Sequence, residues 1–255
     1  TRYRSGQVPQ YLLTHPNPEA RLDYVESLLS AENTPLPEIN KEKDFEFLRF
    51  KYRILTKAGD NKTNRLYFLN RIDNENLDRF YRIMAEYGLA LLEREEKNYH
   101  KCLERLDHVI QTLHDKALLS IDKGIILAEM GRFEEARVIL RSAVRDNPFD
   151  MYATFNLAKV MYKMGESETA KQLFLDVSYE LPEFSQVYFE IGKILAETGR
   201  ENESRFYLGK YNLYEGKLKL AASNFKEVQK HPDIDPKIQK ESEELIELIE
   251  RLKKG

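Results

Sequence analysis

A spacing of 34 residues constrains this chain more than any other feature. Gly131, Gly165 and Gly199 stand 34 residues apart, as do Ala136, Ala170 and Ser204, then Leu140, Phe174 and Leu208, then Ala143, Val177 and Tyr211. Pro148 and Pro182 keep the same spacing and are the only prolines between Glu38 and His231. A fixed period of this length marks a solenoid, in which each unit buries its apolar face only against its neighbours.

Each unit reads as a helical hairpin. In the first copy Gly124 sits where two helices must approach closely, Gly131 breaks the chain, and Phe133 and Ala136 open a second helix. Ala136, Leu140 and Ala143 fall at i, i+4 and i+7, so they share the face that fills the groove of the preceding helix. Pro148 cannot continue a helix and biases Asn147 away from helical geometry, which closes the unit. The second copy repeats the pattern with Leu157, Ala158, Gly165, Ala170, Phe174 and Pro182. These residues resemble the tetratricopeptide (TPR) repeat. The expected fold is therefore all-α, a TPR-type α-solenoid of antiparallel helical hairpins with a C-terminal capping helix.

At 255 residues, 42% hydrophobic and 33% charged, the chain has enough apolar material for such an array. A net charge of -3 gives no global reason to expect nucleic acid as a partner. No apolar run approaches the roughly 20 residues that span a bilayer. The single cysteine, Cys102, excludes an internal disulfide framework; it stands where the later copies have Ala136 and Ala170, which predicts a small buried side chain rather than a reactive thiol. The start at Thr1, with no signal peptide, is expected of a processed or excised chain.

Taken in order, residues 1–30 carry no repeat: Asn17-Pro18 is a helix start, followed by the apolar stripe Leu22, Val25, Leu28 and Leu29. Residues 31–43, with Asn33, Pro35, Pro37 and a charged run, read as a linker. The array is expected over 44–232. Phe45, Leu48, Tyr52 and Leu55 share one helix face, and with the helix after Gly59-Asp60-Asn61 they read as a degenerate opening repeat. After Gly199 the register doubles, so that Glu201 to Tyr214 closes one unit and opens the next. Residues 233–255 form the cap, with Ile238, Leu245, Leu248, Ile249 and Leu252 on its buried side and Glu and Lys on the other.

No catalytic constellation stands in the sequence. His15, His100, His108, His114 and His231 form no paired ligand spacing for zinc, and phosphate loops and nucleophile elbows are absent. The segment Thr14-His15-Pro16, followed by Arg21, resembles the closing Thr-His-Pro-x-x-x-x-Arg motif of zinc metallopeptidases of the BepA (YfgC) type. That group joins a peptidase domain to a C-terminal TPR array. The resemblance implies that residues 1–30 are the C-terminal edge of a peptidase-like domain whose His-Glu-x-x-His helix is missing here, and that zinc belongs to the parent rather than to this chain. His15 alone could be zinc-proximal there. One histidine cannot hold zinc and activate water, so no peptidase activity is expected. The resemblance further implies a periplasmic setting and, as partners, outer-membrane proteins, their assembly machinery or the parent's own peptidase domain. The alternative is a free-standing TPR adaptor in the cytoplasm with no protease parent.

In TPR arrays the first helix of each hairpin lines the inner face. The positions beside the packing residues are Tyr87, Tyr152, Phe155, Lys159, Tyr162, Phe189, Lys193, Phe206 and Lys210. Three lysines flanked by aromatics suit an extended or acidic segment of an unfolded or partly assembled protein. Ile121 and Ile125 are apolar where a carboxylate clamp needs polar donors, and Glu190 adds a repelling charge.

Overall fold

The computed structural model describes residues 41–58, 60–113, 117–231 and 234–252. Among them the regular structure is entirely helical, with no strand. The peptidase-like edge expected at 1–30, including His15, lies outside the described residues. The chain divides into two compact units, residues 1–47 and 48–255. Of the first, only the opening of a helix is described. The second holds the array.

In chain order the helices are α1 (Lys41–Ala58), α2 (Asn61–Ile72), α3 (Arg79–Glu95), α4 (Tyr99–Thr112), α5 (Ala117–Glu129) and α6 (Phe133–Asp146). They continue with α7 (Met151–Lys163), α8 (Ser167–Glu180), α9 (Ser185–Glu197), α10 (Glu201–Tyr214), α11 (Leu218–Val228) and α12 (Pro236–Leu252). From α2 onward each helix packs on its successor, as the hairpin repeat requires. The helix α1 starts at Lys41, inside the stretch read as linker.

The glycine period has a backbone cause. Gly131, Gly165 and Gly199 adopt φ of 77°, 85° and 76° at the ends of α5, α7 and α9. At each end the next residue's N–H reaches back into the last turn: Arg132 donates to Leu127 O, Glu166 to Met161 O and Arg200 to Leu195 O. This left-handed cap satisfies otherwise orphaned carbonyls, and glycine adopts it without Cβ strain. Lys97, 34 residues before Gly131, takes the same role with φ of 62°, and Asn98 donates to Glu93 O.

Between the two helix layers the small residues are sealed. Cys102, Ala136 and Ala170 are fully buried. Burial pushes the Cys102 thiol up to about 12, so it packs as a small apolar group. Ser204 replaces alanine in the last copy, and its buried hydroxyl donates to Gly192 O at 2.7 Å. The doubled register is visible in the contacts of α10. Leu208 covers Gly192, where a Cβ would come within 3.0 Å of its Cγ, while Gly209 receives Phe225, whose ring leaves only 2.5 Å.

The cap α12 buries Ile249 completely, with Ile238, Leu245 and Ile246 against the same cluster as Phe206, Leu213 and Phe225. Leu248 and Leu252, expected on that face, are exposed. The inward stripe follows the 3.6-residue period through Ile238, Ser242, Leu245 and Ile249, and those two leucines fall to its flank.

The first helix departs from a degenerate opening repeat. Tyr52 packs edge-on against Phe68 of α2, at 5.0 Å between ring centres, as a hairpin would have it. Yet Arg49 and Arg53 reach Asp122 of α5, two hairpins further on. A stacked repeat touches only its neighbours. From Leu48 onward α1 therefore lies against the inner helix layer rather than at the end of the stack.

Candidate binding surface

The inner layer is formed by α3, α5, α7 and α9, and it is laced together at one recurring separation. Tyr87 donates to Asp122, Arg94 to Glu129 and Tyr162 to Glu197, each pair 35 residues apart. One repeat of 34 plus one residue brings the edge of one first helix to the edge of the next.

The most heavily bonded group on this face is Asp122. Arg49 donates to it twice, from Nε to Oδ2 at 2.9 Å and from Nη2 to Oδ1 at 2.8 Å. The Tyr87 hydroxyl donates to Oδ2 at 2.9 Å and the Tyr152 hydroxyl to Oδ1 at 3.0 Å. Arg53 Nη1 stands 3.8 Å from Oδ1, and the Arg49 and Arg53 guanidinium carbons lie 5.2 and 5.1 Å from the Tyr152 ring centre. The Asp122 side chain is 5% exposed and that of Arg49 13%. Burial alone would lower the Arg49 pKa, but the Asp122 charge and its hydrogen bonds more than reverse this and raise it. Burial, and then the Asp122 charge, push Tyr152 up to about 12 and raise Tyr87 as well, so both phenols stay protonated donors.

Tyr87 and Tyr152 are among the positions predicted from sequence, whereas Asp122, Arg49 and Arg53 are not. A signal exists: Asp122 is a lone acid in the middle of Ala-Leu-Leu-Ser-Ile-Asp-Lys-Gly-Ile-Ile-Leu-Ala-Glu, and the two arginines stand four residues apart on α1. Such an acid needs a cationic or hydrogen-bonding partner once buried.

The second half of the inner face is more open. Phe155, placed edge-on to Phe174 and Phe184, carries Lys159 5.8 Å from its ring centre. Lys159 and Lys163 are exposed and make no ion pair among the described residues. Both line a cleft of about 390 Å³ with Ile125, Leu140, Asn156 and Val160. Asn156 spends its amide on Tyr152 O, at 2.8 Å. On α9, Lys193 sits 4.2 Å from the Tyr162 ring centre and pairs with Glu190 at 2.9 Å, and Phe189 leans on Tyr211. The bond to Glu197 holds the Tyr162 hydroxyl up at about 12.

Three of the sequence-named residues are not presented as a contact surface. Tyr87 is fully buried, so it acts through its hydroxyl on Asp122. Phe206 is packed into the C-terminal core, because α10 opens a further unit and must bury that ring beside Phe225. Lys210 pairs with Glu241 of the cap at 2.8 Å, lies over the Tyr188 ring, and has a side chain only 16% exposed. The structure thus gathers Tyr152, Phe155, Lys159, Tyr162, Phe189 and Lys193 on α7 and α9, while Lys210 is drawn to α12.

Repeat period, hairpin packing and a polar inner layer define a TPR-type α-solenoid. The tetratricopeptide-repeat family model matches residues 127–189. Among solved structures, the chain is similar to MamA 41-end from Desulfovibrio magneticus RS-1, with 14% identity, 70% of this chain and 97% of that one covered, and a TM-score of 0.52. It is likewise similar to PilF of Pseudomonas aeruginosa, with 16% identity, 79% and 99% coverage, and a TM-score of 0.50. At such identities the likeness concerns the fold. No curated protein matches the chain. Among the described residues no helix is long and apolar enough to cross a membrane.

Proposed function

We propose that the chain is a protein-binding array that captures an extended, acidic segment of a partner protein along α7, seated in the cleft that α7 forms with α5 and α6 and bordered by the rings and Lys193 of α9. The observation that carries this reading is the cleft beside Lys159 and Lys163. It joins apolar walls at Ile125, Leu140 and Val160 to two cations that form no ion pair among the described residues, while the one acid in the lining, Glu129, is held by Arg94. An aliphatic side chain would fill the cleft while a neighbouring Asp, Glu or chain carboxylate meets the ammonium groups. Phe155, Tyr162 and Phe189 add ring surface beside them, where aromatic groups supply much of a peptide's binding energy. No catalytic role is assigned to the chain.

The test is a titration of labelled extended peptides that alternate acidic and aliphatic residues. Each exposed charge contact contributes on the order of 0.2–1 kcal/mol. The double variant Lys159→Glu/Lys163→Glu should therefore weaken binding severalfold, and salt should weaken wild-type binding in the same direction. Lys210 is left intact because its partner is the cap. Wild-type affinity in the double variant at low salt would rule this surface out.

The setting we infer is that of a BepA-type periplasmic zinc metallopeptidase, with the array presenting outer-membrane proteins or assembly partners to a peptidase domain. It rests on the motif Thr14-His15-Pro16 with Arg21 ahead of the array. A His-Glu-x-x-His helix encoded shortly upstream would support it. An upstream sequence without one would leave the free-standing adaptor.

A further inference from the structure

Arg49 and Arg53 meet the array much as a bound ligand would. A helix from outside the repeat stack lies on its inner face and presents two guanidinium groups one turn apart. The receiving surface is built for them: one carboxylate accepts both arms of a guanidinium, two tyrosine hydroxyls fill its remaining acceptor positions, and the guanidinium carbons of both arginines stand about 5 Å from the centre of one tyrosine ring. This matches arginine rather than lysine, because only the planar fork bonds both carboxylate oxygens at once. We propose that Asp122, Tyr87 and Tyr152 form an arginine-reading helix-docking site. Here α1 occupies it in cis, and a partner helix with arginines four residues apart can take the same place.

The site meets the lysine surface of α7 and α9 at Tyr152 and prefers the opposite charge. A cis occupant has the advantage of high effective concentration, so a partner must either bind with more contacts or meet a chain whose α1 has been drawn away. Departure of α1 leaves Asp122 its bonds from Tyr87 and Tyr152 and also withdraws Tyr52 from Phe68 of α2.

The experiment uses the full chain and, as probe, a fluorescent peptide of residues 44–58, read by anisotropy, with circular dichroism as the check on folding. Arg49→Ala/Arg53→Ala in the chain should release its own α1. That variant should bind the peptide about tenfold or more tighter than wild type, whose site is filled. Adding Asp122→Asn to the variant should abolish the gain, and a peptide with both arginines changed to lysine should bind several times more weakly. Equal affinity in wild type and variant, or no binding to either, would overturn the proposal. So would a gain that survives Asp122→Asn. Loss of the array's helicity in Arg49→Ala/Arg53→Ala would also overturn it, because it would make α1 an inseparable part of the fold.

Discussion

At the scale of single residues, the backbone and the buried charge make different demands, and the sequence discloses them unequally. The left-handed turn after each first helix is legible wherever glycine marks it, and Lys97 shows what happens where it does not. A non-glycine residue in that conformation costs about 1–2 kcal/mol, partly offset by the extra chain entropy glycine loses on folding. Lys97→Gly should thus stabilise the chain by about 0.5–1 kcal/mol, seen as a rise in thermal midpoint of a few degrees. An unchanged or lower midpoint would mean that the turn does not carry the strain. The Asp122 cluster is less readable, since its partners come from α1, α3 and α7 and no local pattern joins residues 49, 87, 122 and 152. Replacing Tyr152 by Phe removes one donor from that carboxylate, whose Oδ1 keeps Arg49, and should cost about 0.5–1.5 kcal/mol. Equal denaturation midpoints for Tyr152→Phe and wild type would show that water replaces the hydroxyl.

At the scale of the element, the 34-residue period determines which helices pair and which small residues lie between them. Ala170 is completely buried beside Phe174 and Val177 on α8, so Ala170→Leu should force the hairpin apart and cost about 1–3 kcal/mol. A wild-type melting curve would contradict the register. What the period cannot place are the elements that lack it. The apolar face of α1, Leu48, Tyr52 and Leu55, is compatible with packing at the end of a stack or across its inner side, and only the arginines choose between the two. The cap α12 is recognisable by composition but its rotation is not, because Leu248 and Leu252 satisfy a helical pattern as well as Ile246 does. Phe206 and Lys210 share the difficulty: α10 serves two units, and its contacts with α11 and α12 claim residues that a repeat would otherwise show to a ligand.

For the molecule as a whole, the second unit presents an inner face divided by charge, with an acidic docking point filled by α1 and a lysine-bearing cleft left open. The phenols that hold this face together give it an alkaline limit. Tyr152 and Tyr162 are raised from the ordinary value near 10 to about 12, so their contribution to stability is complete below pH 10 and lost as pH climbs from 10 toward 12. Urea midpoints across that interval should fall, and less steeply in Tyr152→Phe; parallel decline in both proteins would detach the tyrosine from the effect. The central claim is that partners are captured on the inner helices, in the cleft of α7 and α5. Its most direct test is hydrogen exchange of the full chain with and without an extended peptide of alternating acidic and aliphatic residues. Capture in the cleft predicts slowed exchange concentrated in residues 117–129 and 151–163, removed by Lys159→Glu/Lys163→Glu. Slowed exchange confined to the outer helices α8 and α10, or protection that persists in that variant, would contradict it.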